Sequence, residues 1–188
     1  MSEALPYVES IPGGLYPGRA IVLKGAVVHE PHQKRFAVEL CCGLLVQGDH
    51  QDDKALHFNP RFDVNNSWFG GQADRQIVLN SMTGNRWGIE ERYANVFKEG
   101  YPFSMRILAL AEYYKKAHIF SSAALFFNLR SPFVLNVKAQ FQIAVDGRHL
   151  CDYLHRIPVS EVKTLYIRGN VRIDTIEYQG DEGSPVVG

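Results

Sequence analysis

The sequence lacks the features that define several large protein classes. Its three cysteines, Cys41, Cys42 and Cys151, are odd in number and too few for a disulfide scaffold. Free thiols in a reducing compartment are the expectation. No uninterrupted apolar stretch approaches the roughly 20 residues a helix needs to cross a bilayer, so a membrane-spanning chain is not expected. The start, MSEALPYVES, lacks the basic and apolar regions of a secretory leader, and synthesis in the cytosol is expected. Excess charge is missing too. Lys+Arg and Asp+Glu balance at 20 each, leaving no overall field to favour nucleic acid or an anionic membrane. His29 and His32 in HEPH, and His50, Asp52 and Asp53 in DHQDD, form incomplete metal-ligand sets and read as polar turns. No metal or cofactor is expected.

What is present is a globular mixture with a lean towards strands. At 188 residues, 46% apolar and 21% charged, the chain favours one domain with a core of useful size. Short runs rich in Val, Ile, Phe and Tyr recur between turn residues. AIVLKGAVV follows the turns at Pro12-Gly13-Gly14 and Pro17-Gly18 and is broken by Gly25. RFAVELCCG places Phe36, Val38, Leu40 and Cys42 on one face. KALHFNPRFD, RQIVLNSM and, after Thr83-Gly84-Asn85, RWGIEERY come next. SPFVLNVKAQ, QFQIAVDGRHL and KTLYIRGNVRIDTIEYQ complete the set, with Asp146-Gly147 marking a type I′ hairpin. Many short strands joined by Gly, Asn and Asp turns predict an all-β, antiparallel β-sandwich.

One region departs from this rhythm. Met105–Leu129 contains neither Gly nor Pro, and Ile107, Leu110, Ala111 and Tyr114 follow helical spacing. The period predicts an amphipathic helix over roughly 105–118. The tail from 180 to 188 is Gly-rich and polar enough to fray.

Three polar clusters fall on successive strands. In LHFNPRFD, alternation projects His57, Asn59 and Arg61 together, opposite Leu56, Phe58, Pro60 and Phe62. In QIVLN, Gln76, Val78 and Asn80 share a face. In WGIEER, Glu90 and Arg92 share a face but Trp87 has the opposite parity, so a bulge or the strand entry must re-aim it. If the strands are neighbours, one sheet face carries donors, acceptors and an aromatic plane. A neutral sugar asks for that combination, because its hydroxyls need convergent hydrogen bonds and its C–H face packs on a ring. An Arg–Glu pair held by charge-assisted bonds loses little entropy on binding. Asp63 and Asn65 read as a polar turn rather than as partners that orient Arg61.

HFNPRF, IVLNS and WGIEER, in this order and spacing, resemble the carbohydrate-recognition domain of galectins. IPGGLYPGRAIVLKG and FQIAVDGRHLCDYLHRI are similar to the same family. The resemblance implies a domain over residues 1–179 and a jelly roll of two sheets. It implies that His57, Asn59 and Arg61 hydrogen-bond the axial 4-hydroxyl of galactose, that Asn80 and Glu90 bind the 6-hydroxyl, and that Trp87 stacks on the ring. Glu90 and Arg92, with Arg61, would reach the neighbouring glucose or N-acetylglucosamine. The implied partners are β-galactoside glycans on glycoproteins or glycolipids, bound without a metal. Members are typically made in the cytosol and exported without a leader. Many dimerise or carry two domains, so cross-linking by this domain would require a homodimer.

The family usually joins the tryptophan strand to the next by a short loop. Here ILALAEYYKKAHIFSSAALFFNL and Arg130, about 107–130, stand between YPFSMR and SPFVLN. Two readings are open: a helical insertion packing on the sheet or on a second chain, or a variant transcript. Catalysis is not expected. Glu90 and Glu91 are adjacent, so on a strand they point to opposite faces and cannot flank one glycosidic bond. Cys151, His149 and Asp152 lie close in sequence without the geometry a nucleophile needs. The expected function is a non-enzymatic lectin. The alternative is a galectin-fold protein–protein interaction module whose sugar binding the added segment impairs.

Overall fold

A computed structural model describes residues 5–30, 32–63, 74–111, 113–117 and 133–180. In chain order its strands are β1 (Tyr7–Ser10), β2 (Ala20–Val27), β3 (Phe36–Cys41), β4 (Lys54–Pro60), β5 (Gln76–Thr83), β6 (Arg86–Trp87) and β7 (Glu91–Ala94). The second half holds β8 (Pro102–Leu110), β9 (Tyr113–Ala117), β10 (Phe133–Val137), β11 (Gln140–Val145), β12 (Arg148–Leu154), β13 (Thr164–Gly169) and β14 (Val171–Gln179). One sheet runs β1-β13-β3-β4-β5, with β6 and β7 both pairing along the outer side of β5. The other runs β12-β11-β8-β2-β14. Every ladder between named strands is antiparallel. This is the expected sandwich.

The core between the sheets follows from alternation. Leu56, Phe58 and Phe62 turn inward from β4 and its extension, and Met105, Ile107 and Ala109 from β8. Phe36, Phe97 and Phe103 form an aromatic nest at one end, with Phe97 edge-on to both others at 5.3 and 5.0 Å. Fully burying a side chain of this size contributes about 1.5–3 kcal/mol. Local turn chemistry agrees with the ladders. Asp146 and Gly147 take φ values of 51° and 74°, the type I′ pair that sets Val145 opposite Arg148. Gly25 is required by close approach. A Cβ there would lie 2.1 Å from the Arg172 carbonyl oxygen, where β14 slips register against β2.

The helix expected over 105–118 does not form. Met105 to Leu110 belong to β8, whose inner face is buried at every second residue, and Tyr113–Ala117 is a strand as well. The apolar residues fit both periods, but Met105, Ile107 and Ala109 complete a period of two, and pairing on both sides of β8 decides between them. No helix occurs among the described residues of the added segment. Instead β9 pairs with β10, Tyr113 opposite Val137 and Ala117 opposite Phe133. That register is the one in which Leu110 faces Gln140. Among the described residues β9 and β10 therefore form a separate two-stranded ribbon in register with the β8–β11 hairpin. Residues 181–188, where most of the frayed tail was expected, lie outside the described residues.

Candidate functional site

The polar face of β4 and β5 lies opposite the core. Register sets His57 beside Asn80 and Asn59 beside Val78, which brings the first two sequence clusters together. Trp87 is opposite Met82 at the end of β5, and Arg92 is opposite Val78. Between them the outer strand is interrupted at Gly88-Ile89-Glu90, and the parity mismatch of Trp87 has its cause there. Two short strands, β6 and β7, replace the single one that alternation assumes.

These elements enclose a groove of about 380 Å³ lined by His57, Asn59, Arg61, Asn80, Trp87, Gly88 and Glu90, with Arg35 and Arg168 along the β3–β13 side. Six of the seven residues singled out in the sequence therefore line one space. Arg92, the seventh, supports it from outside: its Nε and Nη2 donate to Glu90 Oε2 at 3.0 and 2.5 Å. Trp87 presents an open ring, with 49% of its surface exposed. His57 packs on its side, ring centroids 4.9 Å apart.

Each polar side chain is held before any ligand arrives. Asn59 Nδ2 donates to the Phe36 carbonyl at 2.6 Å, and its Oδ1 accepts from Arg61 Nε at 3.0 Å. Arg61 Nη1 donates to Asp74 at 2.7 Å. Asp63 pairs with Arg35 at 3.1 Å instead, whereas Asn65 lies outside the described residues. Asn80 Nδ2 donates to the Gly88 carbonyl at 2.9 Å. Fixed groups of this kind lower the ordering cost of binding a polar ligand.

Sequence reasoning missed a second tier of residues. Glu39, fully buried on β3, takes the Nδ1 of His57 at 2.7 Å and Arg168 Nη2 at 3.2 Å on one carboxylate oxygen, and Lys54 on the other. Burial alone would raise its pKa, but the hydrogen bonds from His57 and Lys54 and the positive charge beside it outweigh that and hold the carboxyl down at about 2. Arg156, from the turn after β12, donates to Asn80 Oδ1 at 3.1 Å, the Ile89 carbonyl at 2.7 Å and Glu91 at 2.9 Å. Its guanidinium lies 4.9 Å from the Tyr153 ring centroid. Gly88 leaves room for this: a Cβ there would stand 3.0 Å from Arg156 Nη1.

The other combinations have structural partners. Asp52 accepts from the Leu45 amide at 2.8 Å and Asp53 from the Gly84 amide at 2.7 Å. His29 pairs with Glu99. His149 meets Asp152 at 3.0 Å on the surface, whereas Cys151 faces the core, where burial pushes its thiol up to about 12. Cys41, Cys42 and Cys151 are all free thiols.

Fold and groove together define a β-sandwich with a preorganised polar cleft edged by an aromatic ring. The sequence matches the family model for galactoside-binding lectin over residues 6–133 and 120–178, and the chain belongs to that family, the galectins. It is 31% identical to human galectin-4 over 182 residues, 96% of this chain and 43% of that protein. Human galectin-7 is 28% identical over 173 residues, 92% of this chain and 96% of that protein. The chain thus spans under half the length of the galectin-4 relatives it matches. The structure of sheep galectin-11 in complex with glycerol superposes with a TM-score of 0.65 at 20% identity, covering 95% of this chain and all of that one, 100%. A doubly substituted human galectin-16 gives 0.66 at 19% identity, covering 96% and 99%. Both show the shared fold.

Proposed function

We propose that this chain is a non-enzymatic lectin for β-galactosides of the lactose or N-acetyllactosamine type, bound in the groove between Trp87 and Arg61. The carrying observation is the convergence of His57, Asn59, Arg61, Asn80 and Glu90 around one cleft beside an open Trp87 ring. In this reading the galactose C–H face packs on Trp87. Its axial 4-hydroxyl meets His57, Asn59 and Arg61, and the 6-hydroxyl meets Asn80 and Glu90. Arg92, clasped to Glu90, faces the next sugar. An equatorial 4-hydroxyl would leave part of the first set unpaired, at a cost of about 1–3 kcal/mol per group. Glycans on glycoproteins or glycolipids are the partners. Cross-linking by one such domain would require a homodimer, and cytosolic synthesis followed by non-classical export belongs to the same proposal.

The alternative of an interaction module with an impaired groove rests on the added segment. Against it, β9 and β10 pair with each other in the register of the β8–β11 ladder, whereas the groove is lined by the other sheet. Lactose titration followed by tryptophan fluorescence and calorimetry tests the choice. Saturable binding, lost in Arg61→Ala, supports the lectin. A folded protein with no lactose response overturns it in favour of the module, and hydrolysis of a galactoside would overturn both.

A further inference from the structure

Beneath the groove two cations and one imidazole converge on a single buried carboxylate. Glu39 has Lys54 on one oxygen and, on the other, both His57 Nδ1 at 2.7 Å and Arg168 at 3.2 Å. Lys54 is itself buried, donates also to the Val46 carbonyl at 3.3 Å, and lies 5.9 Å from the centroid of Trp87. A carboxylate between two cations stays ionised and can only accept hydrogen bonds. The nitrogen of His57 that faces it must therefore carry a hydrogen. A neutral imidazole with Nδ1–H has a bare Nε2.

We propose that Glu39 is a positioning residue that presets His57 as the Nδ1–H tautomer, so that Nε2 serves the groove as a hydrogen-bond acceptor, with Lys54 and Arg168 keeping Glu39 charged for the purpose. The assignment matters because the rest of the first cluster supplies mostly donors. Arg61 can only donate. Asn59 gives one amide hydrogen to Phe36 and accepts from Arg61, which leaves it one N–H and one oxygen lone pair. A sugar hydroxyl at this corner accepts from Arg61 and needs somewhere to place its own proton, and His57 supplies it. This inference rests on the lectin reading for the identity of that hydroxyl, the galactose 4-hydroxyl, but not for the tautomer itself.

Two measurements on the full chain test it. Heteronuclear NMR of the imidazole nitrogens, without ligand, should find the His57 proton on Nδ1. In Glu39→Gln, Lys54 claims the amide oxygen, the amide nitrogen turns to His57, and the proton should move to Nε2. Calorimetry then compares lactose with its analogue bearing fluorine in place of the galactose 4-hydroxyl, which accepts but cannot donate. The wild type should prefer lactose by about tenfold or more. In Glu39→Gln lactose should weaken about tenfold and the preference should largely vanish. If Glu39→Gln does not fold, Glu39→Leu with Lys54→Met removes both charges at similar volume and should show a mixture of tautomers. An Nε2 proton in the wild type, or an unchanged tautomer and preference in the variants, overturns the proposal. An Nδ1 proton in a wild type that ignores lactose would support the presetting and overturn the lectin reading.

Discussion

The side-chain amide of Asn59 donates to the backbone carbonyl of Phe36 at 2.6 Å, standing in for a backbone donor that the sequence removed. Val38 faces Phe58 across β3 and β4, which sets Phe36 opposite Pro60. The Arg61 amide points to Gln76 on β5, so position 60 turns its nitrogen towards β3. Proline has no hydrogen to give there. The asparagine fills the gap and is locked by doing so.

Removing that amide should therefore be costly in a recoverable way. Asn59→Ala leaves a buried carbonyl unpaired and should destabilise by about 1–3 kcal/mol. Asn59→Ala combined with Pro60→Ala restores a backbone donor and should regain part of the loss. Urea unfolding of the single and double variants checks this, and a double variant no more stable than the single would refute the substitution of one donor for another.

The acid limb of the stability curve should carry the signature of Glu39. Its folded pKa, about 2, lies below the ordinary 4.5, so the folded state resists protonation more than the unfolded one. The contribution is complete above about 4.5 and is lost as pH falls from there through about 2. Denaturant midpoints across that window should drop more steeply in the wild type than in Glu39→Leu/Lys54→Met.

Trp87→Ala should separate binding from folding. The ring is half exposed and meets His57 and Lys54. Stability should change by no more than about 1 kcal/mol, whereas lactose affinity should fall by at least about tenfold, a loss of about 1.4 kcal/mol. Parallel calorimetry and thermal melting give the comparison.

Gly88→Ala should damage the groove without removing any polar side chain. The new methyl would meet Arg156 Nη1 at 3.0 Å and Asn80 Oδ1 at 3.2 Å, displacing the clamp on Ile89 and with it Glu90. Lactose affinity should fall severalfold, and hydrogen exchange should quicken at residues 88–91. Unchanged exchange would show that the guanidinium yields freely.

Excising the ribbon should leave the groove intact. Joining Ala111 to Ala139 through Asn-Gly keeps Leu110 opposite Gln140 and supplies a type I′ turn. The expected outcome is a folded protein with unchanged lactose affinity. A loss of binding would tie the added segment to the site.

How much of this was legible in the sequence depended on whether alternation held. LHFNPRFD kept its period from Leu56 to Phe62, so His57, Asn59 and Arg61 were found together. Lys54 was not legible, because counting back from Leu56 assigns it to the core face. A bulge before His57 turns it onto the polar face beside Glu39. Glu39 alternates correctly on β3, but which strand it faces is a matter of register between segments 18 residues apart. Arg156 comes from the opposite sheet, a contact no local pattern encodes. The helix over 105–118 failed for a related reason: a short apolar run satisfies two periods, and only its neighbours on both sides of β8 select one.

Arg156 also joins the two layers by hydrogen bonds outside the core. It leaves the end of β12 in the five-stranded sheet and grips Asn80, Ile89 and Glu91 of the other. Any occupant that tightens Asn80 or the 88–91 segment must therefore pull on the far sheet's edge as well. Such coupling is reciprocal. A contact made along β12, on the side of the molecule away from the groove, has a path by which to alter what the groove holds.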